Sequence, residues 1–267
     1  MFVIAYLLYG DSNIYERELA LSVLSAITRT PGTAVDEKTK KINFCLISDR
    51  DRPHLHLPLD QIIISPEEFS SWTRNGNYHH RAKPNAVLKA LENYECPILF
   101  ADCDTIFLTN PEVLFSKITN QNSLMHAYEG EIGSHRIYNR LLKKINNDEH
   151  HTSIQVTASS IMFNSGIIGV HHDNKSLLSE SLNIMDYLYN IEPVFSIEQL
   201  SVSLALSKKT TISSCNEQVI HYWGIDREFI HAQTKEIFDD NHLTIQDGHI
   251  HHFTKKKIRC TQYINLK

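Results

Sequence analysis

Apolar residues along this chain come in short runs separated by stretches of helical period, and that alternation sets most of the expected architecture. Phe2 to Tyr9 is a continuous apolar run of strand length. Tyr15 to Thr28, YERELALSVLSAIT, places Leu19, Val23 and Ile27 four residues apart, the spacing of one helix face, with Asp11 or Ser12 positioned as N-cap. Ile42 to Ile47 and Gln61 to Ile64 read as further strands. Lys83 to Tyr94 reads as a helix carrying Pro84 in its first turn, where a missing N–H does no harm. Beyond residue 108 the pattern predicts a polar helical region through Arg140 to Asn147, an apolar run from Ser160 to His171, a helix from Leu177 to Tyr189 and a last strand from Val219 to Trp223.

The order β-α-β-β-α-β before residue 108 predicts an α/β fold, a mixed and mostly parallel sheet flanked by helices, with ligands at the carboxyl ends of the strands. No internal repeat or low-complexity linker divides the chain, so residues 1–267 are expected to form one domain, with surface loops at Arg29 to Lys41 and Asn146 to Ser153.

Composition narrows the function. With 26 Lys and Arg against 31 Asp and Glu, the net charge of -5 removes any broad electrostatic reason to expect nucleic acid, so phosphate recognition must be local. The opening MFVIAYLLYG lacks a basic leader region and is about half the length of a membrane span, so it reads as a buried strand. Cys45, Cys96, Cys103, Cys215 and Cys260 form no C-x-x-C pair, which fits a reducing, cytoplasmic setting.

Two carboxylates interrupt the apolar stretch PILFADCDTIFL, at Asp102 and Asp104. In a strand they share a face while Cys103 takes the other. Like charges this close repel, and a divalent cation of hard-oxygen preference relieves them. Two other readings stand beside this one. In the first, Asp104 caps a helix near Asn110-Pro111 while Asp102 pairs with a basic residue. In the second, the letters hhhhDxDxT match the place where haloacid-dehalogenase-type phosphotransferases carry an Asp nucleophile, here Asp102, with Asp239-Asp240 as the later acidic pair. That motif normally closes the first strand of its core, and several strand candidates precede it here.

The spaced elements together resemble nucleotide-sugar glycosyltransferases of the GT-A fold, especially retaining glycosyltransferase family 8. YLLYGDSNIYERELALSVLSAI is similar to the family's first strand and helix, PILFADCDTIFL to its D-x-D motif, and Phe163 to Val170 (FNSGIIGV) to its N-[ST]-G element. Glu198-Gln199 resembles the D-Q pair, and His221 to Arg227 (HYWGIDR) resembles H-x-x-G-x-x-K. Arg227 stands where the family has Lys, and Glu198 where Asp is usual. Arginine keeps the charge and presents a fork, with a different reach.

The resemblance implies a hexosyltransferase that moves a sugar from a UDP-sugar to a glycan, lipid-linked or protein acceptor with retention. It implies Mn²⁺, or Mg²⁺, held by Asp102, Asp104 and His221, and an imidazole in the ligand set favours Mn²⁺. It also implies donor contacts from Asp11, Asn13, Tyr15, Lys83, Asp102, Asn164 and Gly224, with Glu198, Gln199 and Arg227 at the chemistry. A form of this fold that binds the donor without catalysis is the other reading of the changed Lys position. Residues 1–108 would bind the nucleotide sugar and 109–227 the acceptor, leaving 228–267 as a tail. In that tail Lys255, Lys256, Lys257 and Arg259, near Phe253, Ile258 and Tyr263, suit peripheral contact with the inner, anionic membrane surface. The adjacent histidine pairs, such as His79-His80 and His150-His151, diverge in extended chain and read as surface residues.

Overall fold

The computed structural model describes residues 1–30, 42–146, 154–235, 238 and 243–244. In chain order its elements are β1 (Phe2–Leu8), α1 (Asn13–Arg29), β2 (Ile42–Ser48), β3 (Leu55–His56), β4 (Asp60–Ile63), α2 (Pro66–Trp72), α3 (Ala82–Tyr94) and β5 (Ile98–Ala101). Then follow β6 (Thr105–Phe107), α4 (Glu112–Phe115), β7 (Asn122–Glu131), α5 (Asn139–Asn146), β8 (Ile161–Val170), α6 (Lys175–Ile191) and α7 (Ile197–Ser207). The last elements are β9 (Thr211–Ser214), β10 (Val219–His221), α8 (Ile225–Thr234) and β11 (Leu243–Thr244). Contacts divide the chain into two compact units, one built from Met1–Pro66, Leu99–Ser116 and Asn216–Lys267, the other from Glu67–Ile98 and Lys117–Cys215.

In the first unit the strands run in the order β4-β2-β1-β5. β2 is parallel to both β1 and β4, with Phe2 opposite Ile42 and Cys45 opposite Asp60. Strands covered on both faces need continuous apolar sequence, and Val3, Ile4, Ala5 and Tyr6 of β1 are fully buried. Helix α1 buries Leu19 and Val23 as its spacing predicts. It also carries two buried serines. The Ser25 hydroxyl accepts the Phe107 N–H of β6 at 2.8 Å and donates to the Ser22 carbonyl at 2.7 Å, so α1 supplies a hydrogen-bond partner that a strand next to β6 would otherwise provide.

The second unit holds β8-β7-β9. β7 runs antiparallel to β8 and parallel to β9, and its ladder with β8 shifts register twice, between Met125 and Ala127 and between Tyr128 and Gly130. α6 and α7 pack their apolar faces into a cluster with Tyr78, Tyr138, Met185 and Leu200. At Gly169 an added Cβ would meet Ile118 and Leu124 side-chain atoms at 2.8 and 2.9 Å, so the backbone passes where no side chain fits.

The fold class is the expected one: α/β, mixed and mostly parallel, flanked by helices. Two details differ. The chain does not continue as a strand through residues 102–104, because β5 ends at Ala101 and β6 begins at Thr105. β7 and β9, like α2, α7 and α8, were not anticipated; in β7 the extra residue between Tyr128 and Gly130 breaks the period-two pattern on which a strand is recognised. Most of the two expected surface loops, residues 31–41 and 147–153, lie outside the described residues.

Candidate functional site

Asp102, Cys103 and Asp104 form the turn between β5 and β6. The Thr105 hydroxyl donates to the Asp102 carbonyl at 2.8 Å, and Thr105 Oγ1 also meets Ser22 Oγ at 2.8 Å. Ser22 in turn meets the Tyr6 hydroxyl at 3.0 Å. A buried chain of hydroxyls running from β1 through α1 therefore fixes the turn. The partly buried Cys103 thiol donates to the Leu7 carbonyl at 3.5 Å. Burial first, and then the carboxylates of Glu18, Asp104 and Asp102, push that thiol well above its ordinary pKa.

β10 brings in the third residue. It lies antiparallel to β6 with His221 opposite Thr105, and the Tyr222 N–H donates to the Asp104 carbonyl at 3.1 Å. His221 Nε2 thereby sits 3.2 Å from Asp104 Oδ1 and 3.6 Å from Asp102 Oδ2. Ligand atoms of all three residues fall within 4.8 Å of one another. At that separation two ionised carboxylates in a partly buried setting repel by roughly 3 kcal/mol. Two hard oxygens and one imidazole fit a divalent ion such as Mn²⁺ or Mg²⁺, which would offset that repulsion. Asp104 does not cap α4: the Glu112 N–H donates instead to Asn110 Oδ1 at 3.0 Å.

Arg227 lies in α8, which starts after Gly224, a residue at φ +85° that only glycine adopts cheaply. The Nε of Arg227 donates to Glu18 Oε1 at 2.7 Å and its Nη2 to Oε2 at 2.8 Å, with Asp104 Oδ2 4.0 Å from Nη2. Its guanidinium carbon sits 5.2 Å from the centre of the Tyr15 ring, so Tyr15 carries a cation on its face. His231 Nε2 shares Glu18 Oε1 at 2.6 Å. The Glu18 hydrogen bonds, outweighing burial, raise the Arg227 pKa further, so this charge is permanent.

The β1–α1 loop holds the other residues of this unit singled out from the sequence. Asp11 is exposed and paired with Arg50, and Asn13 and Tyr15 are exposed on the first turn of α1. Beneath them Arg52, whose side chain is 2% exposed, reaches Glu16 at 2.6 Å, Asp49 at 3.0 Å, Ser48 Oγ at 2.9 Å and the Gly10 carbonyl at 2.7 Å. Burial pushes the Asp49 carboxyl up, but hydrogen bonds from Arg50 and the Gly10 N–H, with the charges of Arg50 and Arg52, hold it below its ordinary range.

In the second unit, Asn164, Ser165 and Gly166 sit at the first register shift of the β7–β8 ladder. The Ser165 hydroxyl donates to Glu198 Oε2 at 2.7 Å, and its N–H donates to Gln199 Oε1 at 3.3 Å. Lys83 donates to the Ser165 carbonyl and meets its hydroxyl, both at 3.2 Å, and stands 3.9 Å from Glu198. Arg81, just ahead of α3, is held by Asp186 through bonds of 2.8 and 2.9 Å.

No family model and no curated protein matches the chain. Solved structures do. The structure of galactosyltransferase LgtC in complex with donor and acceptor sugar analogs superposes with a TM-score of 0.54 at 11% identity, covering 92% of this chain and 98% of that one. An active-site mutant of LgtC gives 0.51 at 13%, covering 79% and 72%. The chain has the GT-A fold.

Within this GT-A chain three acidic residues escaped the sequence reading. Glu129 is the extra residue at the second register shift, and the bulge aims it so that it accepts from Asn164 Nδ2 at 3.0 Å and Gln199 Nε2 at 3.3 Å. Glu16 and Glu18 lie in the ERE run of α1, where charges at a helix start read as solvated. The available signal was their place next to the buried Leu19 and Ala20, Glu16 one turn before them and Glu18 one turn before the buried Leu21 and Ser22. Asp239-Asp240 and the basic tail at Lys255 to Arg259 lie outside the described residues. Among the described residues no helix is long and apolar enough to cross a membrane.

Proposed function

We propose that the protein is a metal-dependent hexosyltransferase that takes a sugar from a UDP-sugar donor and passes it to a hydroxyl acceptor, a glycan or a lipid- or protein-linked one, with retention. The observation that carries this reading is the convergence of Asp102, Asp104 and His221 at the end of β5, in a chain of GT-A fold. Bound there, Mn²⁺ or Mg²⁺ supplies Lewis acidity and a template for the diphosphate. Arg227 adds permanent positive charge where negative charge accumulates on the departing phosphate oxygen. Gly224 lets the chain turn close to the phosphates, and Asp11, Asn13 and Tyr15 take the nucleoside.

On the sugar, Asn164, Gln199 and Lys83 offer N–H donors, and Glu198 holds Ser165 and Lys83 in place. Glu198 accepts a 2.7 Å hydrogen bond from Ser165 and lies near an ammonium, which favours an orienting role over that of a general base and supports retention. Peripheral membrane contact through the tail, bringing a cytoplasmic enzyme to a lipid-linked acceptor, belongs to the same proposal. Sedimentation with anionic vesicles should pellet the full chain and leave a truncation before Lys255 in solution.

Thermal-shift titration with UDP, GDP and CMP, each with and without Mn²⁺, tests the central reading. The expected result is stabilisation by UDP only when Mn²⁺ is present, followed by UDP release from at least one UDP-sugar. A chain that UDP and Mn²⁺ leave unshifted, with Asp102→Ala indistinguishable from wild type, overturns it.

A further inference from the structure

Arg227 is held in a way that a lysine could not reproduce. Its Nε and Nη2 face both oxygens of Glu18, a carboxylate only 1% exposed, at 2.7 and 2.8 Å, while the arginine side chain remains 33% exposed. The same guanidinium lies over the Tyr15 ring and comes within 4.0 Å of Asp104. A guanidinium is a planar fork with five donors. When one edge is committed to a carboxylate, Nη1 and the second N–H of Nη2 remain on the other side. An ammonium has no second edge, and a buried carboxylate beside it would capture it as a point charge.

We propose that Glu18 is a positioning residue for donor binding. It grips the Nε and Nη2 edge of Arg227 so that the opposite edge is presented to the diphosphate, and it makes arginine rather than lysine the required residue at position 227. His231, 2.6 Å from Glu18 Oε1, completes the grip by holding the carboxylate from the side of α8. The proposal rests on the reading that the metal trio binds a nucleoside diphosphate, and it specifies how this chain's own arginine is prepared for that ligand.

The test is calorimetric affinity for UDP with Mn²⁺ on the full chain, with melting curves to confirm folding. Four variants are needed: Arg227→Lys, Arg227→Met, Glu18→Gln and the double Glu18→Gln/Arg227→Lys. Arg227→Lys should lose about as much affinity as Arg227→Met, roughly tenfold or more, because Glu18 captures the ammonium. Glu18→Gln should weaken binding about threefold or more alone, yet strengthen it in the Arg227→Lys background by freeing the ammonium. That reversal of sign is not produced by a residue that merely stabilises the fold. If Glu18→Gln does not fold, the comparison of Arg227→Lys with Arg227→Met decides without it. An Arg227→Lys variant that binds clearly better than Arg227→Met, or a Glu18→Gln effect of the same sign in both backgrounds, overturns the role of Glu18. Wild-type protein that binds no UDP with Mn²⁺ overturns the donor reading itself.

Discussion

Arg52 and Arg227 lie in the same unit and each pairs with a buried glutamate of α1, yet their surroundings differ. Around Arg52 the protein supplies acceptors on every side: Glu16, Asp49, Ser48 and the Gly10 carbonyl. Around Arg227 it supplies one carboxylate, an aromatic face and an approach to Asp104, and a third of the side chain stays exposed. The first arrangement fixes a backbone loop. The second fixes only the direction of a charge and leaves hydrogen-bonding capacity for an anion. An arginine's role is therefore read from which of its N–H groups the protein has already engaged.

The comparison can be broken at several points. The largest effect belongs to the trio that Arg227 approaches. Asp102→Asn or Asp104→Asn should abolish Mn²⁺-dependent stabilisation by UDP and lower turnover by roughly 10³-fold, measured by UDP release, while the melting temperature without ligand holds or rises as a repulsion is removed. Next comes Arg52→Met, which removes the buried guanidinium shared by Glu16, Asp49, Ser48 and the Gly10 carbonyl. Although His54 still reaches Glu16 and Arg50 still reaches Asp49, the loss should be about 3 kcal/mol in denaturant unfolding, more than its effect on nucleotide affinity in the molecules that remain folded. Arg227→Ala should show the opposite balance. Affinity for UDP with Mn²⁺ should fall roughly ten- to a hundredfold by calorimetry, with a smaller loss of stability because His231 still holds Glu18.

Acid sharpens the contrast on the Arg52 side. The Asp49 carboxyl is depressed in the folded state, so its contribution is present above the unfolded value near pH 4 and is lost as pH falls through the lower folded value. Asp49→Asn should flatten that acid limb of a stability–pH curve. The smallest effect is expected at Cys103. Its thiol is pushed up chiefly by burial although the residue is partly exposed, so an alkylating reagent at pH 8 should label it much more slowly in native protein than after unfolding, as mass spectrometry would read.

Much of the fold was legible because its elements follow simple periods. Helix α1 spans Asn13–Arg29 against an expected Tyr15 to Thr28, and β1 and β2 end within one residue of the apolar runs that announced them. β7 was hidden for a physical reason: Ser123 to His126 are buried in succession, and at the second register shift two residues of β7 step past one of β8, so no alternation runs the length of the strand. In the candidate site, Asp102, Asp104 and His221 were all named from sequence, although a strand was expected where the chain makes a turn. Glu18, Glu16 and Glu129 were not named. A glutamate near a helix start or at a strand end has the same letters whether it faces solvent or a buried arginine.

The sequence by itself determined the regular elements β1, α1, β2, α3, β8 and α6, since those depend on local periods of apolar burial, and it marked the acidic stretch as unusual because two carboxylates interrupt an apolar run. Only the tertiary structure decided which charges meet. His221 reaches the acids because β10 pairs with β6, and Arg227 meets Glu18 because residues far apart in sequence share one unit. Such pairings depend on distances of a few ångströms between side chains, a scale on which electrostatic energy changes steeply and about which the order of residues along the chain carries no direct information.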